Sequence, residues 1–335
     1  DAKEESIRTI LEMAQFKEQG RLRALIVTGC LAQRYQREIL EEIPEVDAVL
    51  GTASYQKIAD AIEEALSGKT FVALDGIDSL PAVDTKRMVT TGGHFAYLKI
   101  AEGCDKHCTY CIIPKLRGEY RSVPMERLLE EAKDLAEQGV KELILVAQET
   151  TVYGRDLYGE KSLHLLLREL CKIDCLRWIR ILYCYPEEIY GELIKVIKEE
   201  KKICHYLDLP IQHSEDEILR RMGRRTSREQ LVSIIGQLRR EIPDIVLRTT
   251  LITGFPGETK AQHEALMEFA DEMEFERLGV FTYSPEEDTP AAGFPGQIPD
   301  EVKEDRRAEL MELQQEIAFD RAEEMTGREL LVMIE

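Results

Sequence analysis

Three cysteines within eight residues constrain this 335-residue chain more than any other feature of its sequence. Gly103-Cys104-Asp105-Lys106-His107-Cys108-Thr109-Tyr110-Cys111 has C-x3-C-x2-C spacing and is followed by Ile112-Ile113-Pro114. Three thiols therefore fall to one side of a short loop. Thiolates are soft ligands and suit zinc or an iron–sulfur cluster. A structural zinc site wants four closed ligands. His107 is the nearest candidate for a fourth, but its place between Cys104 and Cys108 turns it away, and no second Cys pair follows at zinc-finger distance. Three protein ligands on a four-iron cluster leave one iron open to a substrate. The ordinary alternative is three small buried hydrophobes, and that role does not require this spacing.

The remaining five cysteines are scattered through an enzyme-sized chain, which argues against a disulfide scaffold and for a reducing cytoplasm. A net charge of −20 disfavours broad nucleic-acid binding and favours a basic partner, although on charge alone simple solubility is the better explanation. No apolar run is long enough to cross a bilayer, and no signal peptide opens the chain. The first residue is Asp1, so a fragment of a longer protein is expected.

Apolar periodicity predicts an α/β chain. Residues 1–74 read as helix, strand Ala24–Val27, helix, strand Ala48–Leu50 and helix Tyr55–Leu66, with Cys30 at a strand's carboxyl end. Residues 75–93 read as a linker, punctuated by Pro81 and Gly92-Gly93. From 94 to 298, six strands alternate with helices, beginning with Ala96–Ile100, which delivers the cysteine loop. A charged helix over 299–326 and a strand at 327–334 close the chain.

Ligand-contacting residues of such folds sit where strands end. Gln148 and Glu149 follow an apolar strand; Asp208, Gln212 and His213 cluster after another, with His213 expected to be structural. Arg248 lies inside a strand, where burying an unpaired cation is costly unless an anion meets it. Gly254 and Gly257 allow close backbone approach, and Phe281, Thr282 and Tyr283 end the last strand. Arg220, Arg221, Arg224, Arg225 and Arg228 read as a solvated basic face.

The triplet, with Tyr110 just before its third cysteine, resembles the signature of radical S-adenosylmethionine (SAM) enzymes. Three further blocks extend the resemblance to the methylthiotransferases of that superfamily: Thr28–Tyr35 with Pro44–Gly51, Leu98 through Arg117-Gly118-Glu119-Tyr120-Arg121-Ser122, and Leu209–Ser214 with Thr253–Glu258. Asp1–Ser6, Ile100–Cys104 and Ile112–Gly118 point to the branch that modifies an aspartate of protein twelve of the small ribosomal subunit. The resemblance implies a partial (β/α)6 barrel preceded by part of a small α/β domain, with the start of a TRAM domain at 327–335. It implies a [4Fe–4S] cluster on Cys104, Cys108 and Cys111 whose open iron chelates SAM, and Cys30 as one ligand of an auxiliary cluster. Tyr110, Gln148, Glu149, Arg248, Gly254, Phe281 and Tyr283 are the implied SAM-contacting positions, with Gln148 and Glu149 on the amino group and Arg248 on the carboxylate. An adenosyl radical would abstract hydrogen from the aspartate β-carbon, with sulfur from the auxiliary cluster and methyl from a second SAM. A flavodoxin- or ferredoxin-like electron donor, a basic ribosomal substrate, a monomeric state and a cytoplasmic location follow from it. The other two cysteines of the auxiliary site would precede Asp1, so methylthiolation by this chain alone is doubtful. A tRNA methylthiotransferase of the same fold, and a closed-zinc scaffold without SAM affinity, are the competing readings.

Overall fold

The computed structural model describes residues 2–78, 87–90 and 92–334. Residues 79–86 and 91 of the expected linker lie outside them. The chain forms two compact units, one of residues 1–86 with 112–119 and one of residues 87–111 with 120–335.

The first unit carries α1 (Ala2–Glu18), β1 (Ile26–Thr28), α2 (Cys30–Glu42), β2 (Ala48–Leu50), α3 (Ile58–Leu66), β3 (Phe71–Ala73) and α4 (Ile113–Arg117). Its strands pair in parallel in the order β1-β2-β3. The apolar run of β2 is wholly buried, as expected of a central strand with helices on its faces. The third strand, on the edge of this sheet with Phe71 half-buried and Val72 exposed, is not among those expected from the sequence. Cys30 opens α2, directly after Gly29, whose φ of 104° makes the turn that a side chain would strain.

The second unit is built on six parallel strands. They are β4 (Phe95–Lys99), β7 (Glu142–Val146), β8 (Trp178–Ile181), β9 (Ile203–Asp208), β10 (Val246–Thr253) and β11 (Arg277–Thr282), in the order β11-β10-β9-β8-β7-β4. The outer two, β4 and β11, do not pair with each other, so the barrel is open, a partial (β/α)6 architecture. A short antiparallel pair, β5 (Ala101–Glu102) and β6 (Arg121–Ser122), brackets the cysteine loop. Between strands run α5 (Met125–Glu137), α6 (Arg155–Tyr158), α7 (Leu163–Cys171), α8 (Gly191–Glu199), α9 (Asp216–Arg221), α10 (Arg228–Glu241) and α11 (Lys260–Met273), and α12 (Asp300–Glu324) follows β11. Ser227 with Gln230 and Thr259 with Gln262 form capping boxes that fix where α10 and α11 begin.

Alternation along the strands is clear in β10: Leu247, Thr249, Leu251 and Thr253 are buried, while Arg248, Thr250 and Ile252 on the other face are half-buried. The strand expected over 327–334 is absent among the described residues. No neighbouring strand lies there to accept its backbone bonds, and Leu331 and Ile334 are exposed. No helix among the described residues is long and apolar enough to cross a membrane.

Candidate functional site

The cysteine loop leaves β5 and is pinned by the turn that follows α9. Thr109 N donates to Met222 O at 2.9 Å and Thr109 Oγ1 to Arg221 O at 2.7 Å. Ala291 N donates to Thr109 O at 2.9 Å from the other side. Cys104 and Cys108 are buried, Cys111 is half-buried and His107 is exposed. Lys106 N donates to Cys104 Sγ at 3.4 Å, and the Tyr185 hydroxyl lies 3.9 Å from Cys108 Sγ. Burial, with Cys108 and Cys111 close by, pushes the Cys104 thiol up to about 12. A thiolate there needs a cationic partner, which is the chemistry a metal cluster supplies. Among the described residues, no three His, Cys, Asp or Glu side chains stand in a ready-made metal geometry, the triplet included.

Around this loop the strand ends bring together polar groups that other side chains do not satisfy. Glu149 is buried; its Oε1 accepts from Thr151 N at 2.8 Å and from the Thr151 hydroxyl, while Oε2 has no partner among the described residues. Burial raises its pKa to about 7, against the hydrogen bonds from Thr151. Gln148 Oε1 is likewise buried without a partner among the described residues. Gln212, with φ of 71°, bridges to β10 through its backbone and also leaves Oε1 unanswered among the described residues. A left-handed non-glycine residue at a strand end is strain of the kind found at functional sites.

Below Tyr110 lies an aromatic cluster. Phe255 meets Tyr110, Tyr283 and Phe294 edge-to-face at 6.5, 5.2 and 6.3 Å. The backbone that presents Phe255 is held by Glu258, whose Oε2 accepts from Gly254 N at 2.6 Å and Phe255 N at 3.1 Å. Arg306 Nη1 donates to Glu258 Oε1 at 3.0 Å. Gly254 (φ 71°) has no room for a Cβ, which would sit 2.3 Å from Lys303 Cγ of α12. His213 is wholly buried; its Nδ1 accepts from Glu215 N at 3.0 Å, and burial lowers its pKa to about 3. Its Nε2, 4.0 Å from Glu258 Oε2, has no hydrogen-bond partner among the described residues.

Three expectations change. Arg248 is not a cation in search of an anion, because Nη1 pairs with Asp208 Oδ1 at 2.7 Å, its register partner on β9. It also lies five residues before Thr253 at the strand's end, roughly 16 Å along the strand. Phe281, on the edge strand β11, is 61% exposed rather than packed, whereas Tyr283 is buried. Arg224 was grouped with a solvated basic face, yet it is buried among Tyr110, Tyr185 and Glu187. The clue lay in the alternation Met222, Arg224, Thr226 buried against Gly223 and Arg225 exposed, a period of two that a basic residue obscures.

In the first unit, Arg117 Nη2 of α4 donates to Cys30 Sγ at 3.2 Å.

The radical SAM superfamily model matches residues 98–270, just over half of the chain, and the model described as uncharacterized protein family UPF0004 matches residues 1–51. A curated relative from Lachnoclostridium phytofermentans, ribosomal protein uS12 methylthiotransferase RimO, is 67% identical over the whole chain and 76% of its own length. The same protein of Clostridioides difficile is 51% identical over the whole chain and 75% of its length. The chain belongs to the RimO family of radical SAM methylthiotransferases. Among solved structures, the radical SAM methyltransferase TsrM of Kitasatospora setae matches with a TM-score of 0.58 at 14% identity, over 80% of this chain and 58% of that one. The cobalamin-dependent radical SAM enzyme OxsB matches with a TM-score of 0.55 at 16% identity, over 95% and 46%. Both share the fold. Within the RimO-family chain, the cysteine loop and its unsatisfied rim occupy the stretch matched by the superfamily model.

Proposed function

We propose that this chain binds a [4Fe–4S] cluster through Cys104, Cys108 and Cys111, binds SAM against it, and acts on an aspartate of ribosomal protein uS12. The observation that carries the reading is the clustered cysteine triplet, with the buried Glu149 near enough to act on Cys104 and with Gln148, Glu149 and Gln212 leaving buried polar atoms without partners among the described residues at the strand ends. Buried polar atoms are normally partnered, so a set left open together marks the place of an absent ligand.

When bound, the cluster and SAM supply one-electron chemistry that no side chain here could provide. The protein's share is binding and orientation. Glu149 Oε2 and Gln148 Oε1 accept from the ammonium of SAM, and its positive charge draws Glu149 into its ionised form. The Tyr110–Phe255–Tyr283 cluster excludes water from one wall, Gly254 lets the backbone come close, and Phe281 offers an apolar surface at the edge. Cys30, beside Arg117, serves as one ligand of the auxiliary cluster in the first unit. The uS12 substrate for which the relatives are named and the net charge of −20 support a basic protein substrate. A flavodoxin- or ferredoxin-like donor, a monomeric state and a cytoplasmic setting complete the reading. So does the division into an N-terminal domain, radical SAM core, long helix and TRAM start.

The test is iron and acid-labile sulfide content after anaerobic reconstitution, beside Cys104→Ala. About four irons and four sulfides should be lost with the substitution. Zinc without sulfide would sink the reading. SAM cleavage stimulated by tRNA, and not by uS12, would move the chain to the tRNA branch.

A further inference from the structure

Arg224 has a charge that its surroundings only partly answer. Its side chain is 1% exposed. Nη2 donates to Pro210 O at 3.0 Å, and Glu187 Oε2 stands 3.8 Å from the same nitrogen, beyond hydrogen-bond reach. Nε and Nη1 have no hydrogen-bond partner among the described residues. A guanidinium stays protonated in proteins and carries five N–H donors, so a half-answered one in the interior is costly.

The fold goes to some length to hold it there. Gly223, with φ of 74°, brings the backbone so close to the cysteine loop that a Cβ would lie 2.8 Å from His107 O and 3.5 Å from Cys108 Cα. The bonds from Thr109 to Met222 and Arg221 lock the same contact. The guanidinium then lies 4.3 Å from the centre of the Tyr185 ring, and that ring's hydroxyl is the group 3.9 Å from Cys108 Sγ. Lys106, the other cation of the neighbourhood, is already paired with Glu188.

We propose that Arg224 is a fixed countercharge for the cysteine loop that raises the reduction potential of the cluster held there. The inference rests on the cluster reading above. Three thiolates make the site anionic, and one electron accepted from a flavodoxin- or ferredoxin-like donor adds a further negative charge, with no bond made or broken in that step. A buried cation stabilises the more negative state by more than the less negative one, because little water is present to screen it. Arg224 is thus a positioning and tuning residue, and the property it sets is a potential.

The experiment compares the reconstituted chain with Arg224→Met, Arg224→Lys and Glu187→Gln. Iron and sulfide are counted first, and the midpoint potential is then read from the EPR signal of the reduced cluster, without SAM. Arg224→Met should make reduction about tenfold less favourable, about 59 mV lower for a one-electron couple. Arg224→Lys should keep most of the parent potential. Glu187→Gln removes the opposing charge beside Arg224 and should shift the potential the other way, by a smaller factor, which decides the matter even if the Met variant fails to hold its cluster. A full cluster with an unmoved potential in the Met variant, or a lowered or unmoved one in Glu187→Gln, overturns the proposal. Weaker SAM binding at an unmoved potential would do the same, and would reassign the free N–H groups to the SAM carboxylate. A parent chain that takes up no sulfide overturns the cluster reading itself.

Discussion

In the body of the six-stranded sheet, Glu142 meets Arg180 at 2.6 Å and Asp208 meets Arg248 at 2.7 Å. At the ends of the same sheet Gln148, Glu149 and Gln212, and in the turn after α9 Arg224, keep buried polar atoms with no partner among the described residues. Both layers are polar and both belong to one unit, so composition does not separate them. What separates them is closure. The first layer completes its own hydrogen bonds and contributes to folding, while the second is completed only by something the chain binds. Substitutions in the closed layer should therefore cost stability and spare ligands, and those in the open layer should do the reverse.

The largest effect is expected where the rim contains a closed group. Glu258 accepts from Gly254 N, Phe255 N and Arg306. Burial pushes its pKa up, against the pull of Arg306 and of those two backbone donors. Glu258→Ala leaves the Gly254 and Phe255 amides without an acceptor and Arg306 with only the residue-258 carbonyl, 3.2 Å away, and should cost about 3–5 kcal/mol, read from the denaturant midpoint. A loss under about 1 kcal/mol would show that the Gly254–Phe255 backbone does not depend on it.

Asp208→Ala comes next. It strands Arg248 and removes the acceptor for Tyr183 N, whose bond to Asp208 Oδ2 is 3.2 Å. The Arg248 side chain is 39% exposed, so water recovers part of the loss and about 2 kcal/mol is expected. SAM affinity should stay within about twofold of the parent, since a change in K of that size is under about 0.5 kcal/mol. A tenfold fall would break the comparison by returning Arg248 to the ligand site.

How much of this contrast the sequence carried depends on what separates the partners. Most strands were legible as short apolar runs, with buried and half-buried residues alternating in β8 and β10, and the cysteine triplet was legible because its three ligands are local. The pairing of Arg248 with Asp208 was not, because it depends on the register of two strands 40 residues apart. Arg224 was hidden for a related reason: the period of two around it is short and carries a basic residue, and its burial depends on Gly223 meeting the cysteine loop, a contact between segments about a hundred residues apart. The membership of residues 112–119 in the first unit is equally non-local.

Glu149→Gln should act in the opposite sense to the closed layer. The folded pKa of about 7 stands above the ordinary value of 4.5. The folded chain therefore keeps a proton that the unfolded chain has already released, and stability from this group is full below 4.5 and lost as pH rises through 7. Glutamine keeps the acceptor for Thr151 and removes the charge. Without SAM, the variant should be more stable than the parent by about 1–3 kcal/mol at pH 8 and little different at pH 4. Its affinity for SAM should fall, since an ammonium loses its carboxylate. Equal stability at both values would mean that water already reaches Oε2, and the open layer would lose its strongest member.

The smallest effect is the most specific. Phe281 is a large apolar side chain left mostly exposed at the edge of β11, while its neighbour two residues on, Tyr283, is buried against Phe255. Burial of a ring of this size contributes to stability only where area is removed from water, so Phe281→Ala should change the folding free energy by no more than about 0.5 kcal/mol. If the residue instead closes over a bound ligand, the same substitution should weaken SAM binding several-fold, a difference of about 1 kcal/mol. Isothermal titration beside a denaturant curve separates the two. A stable variant with reduced affinity places Phe281 in the open layer, because its partner would then be the ligand. A stable variant with parental affinity leaves it an exposed edge residue, and confines the SAM-facing wall to Tyr110, Phe255 and Tyr283.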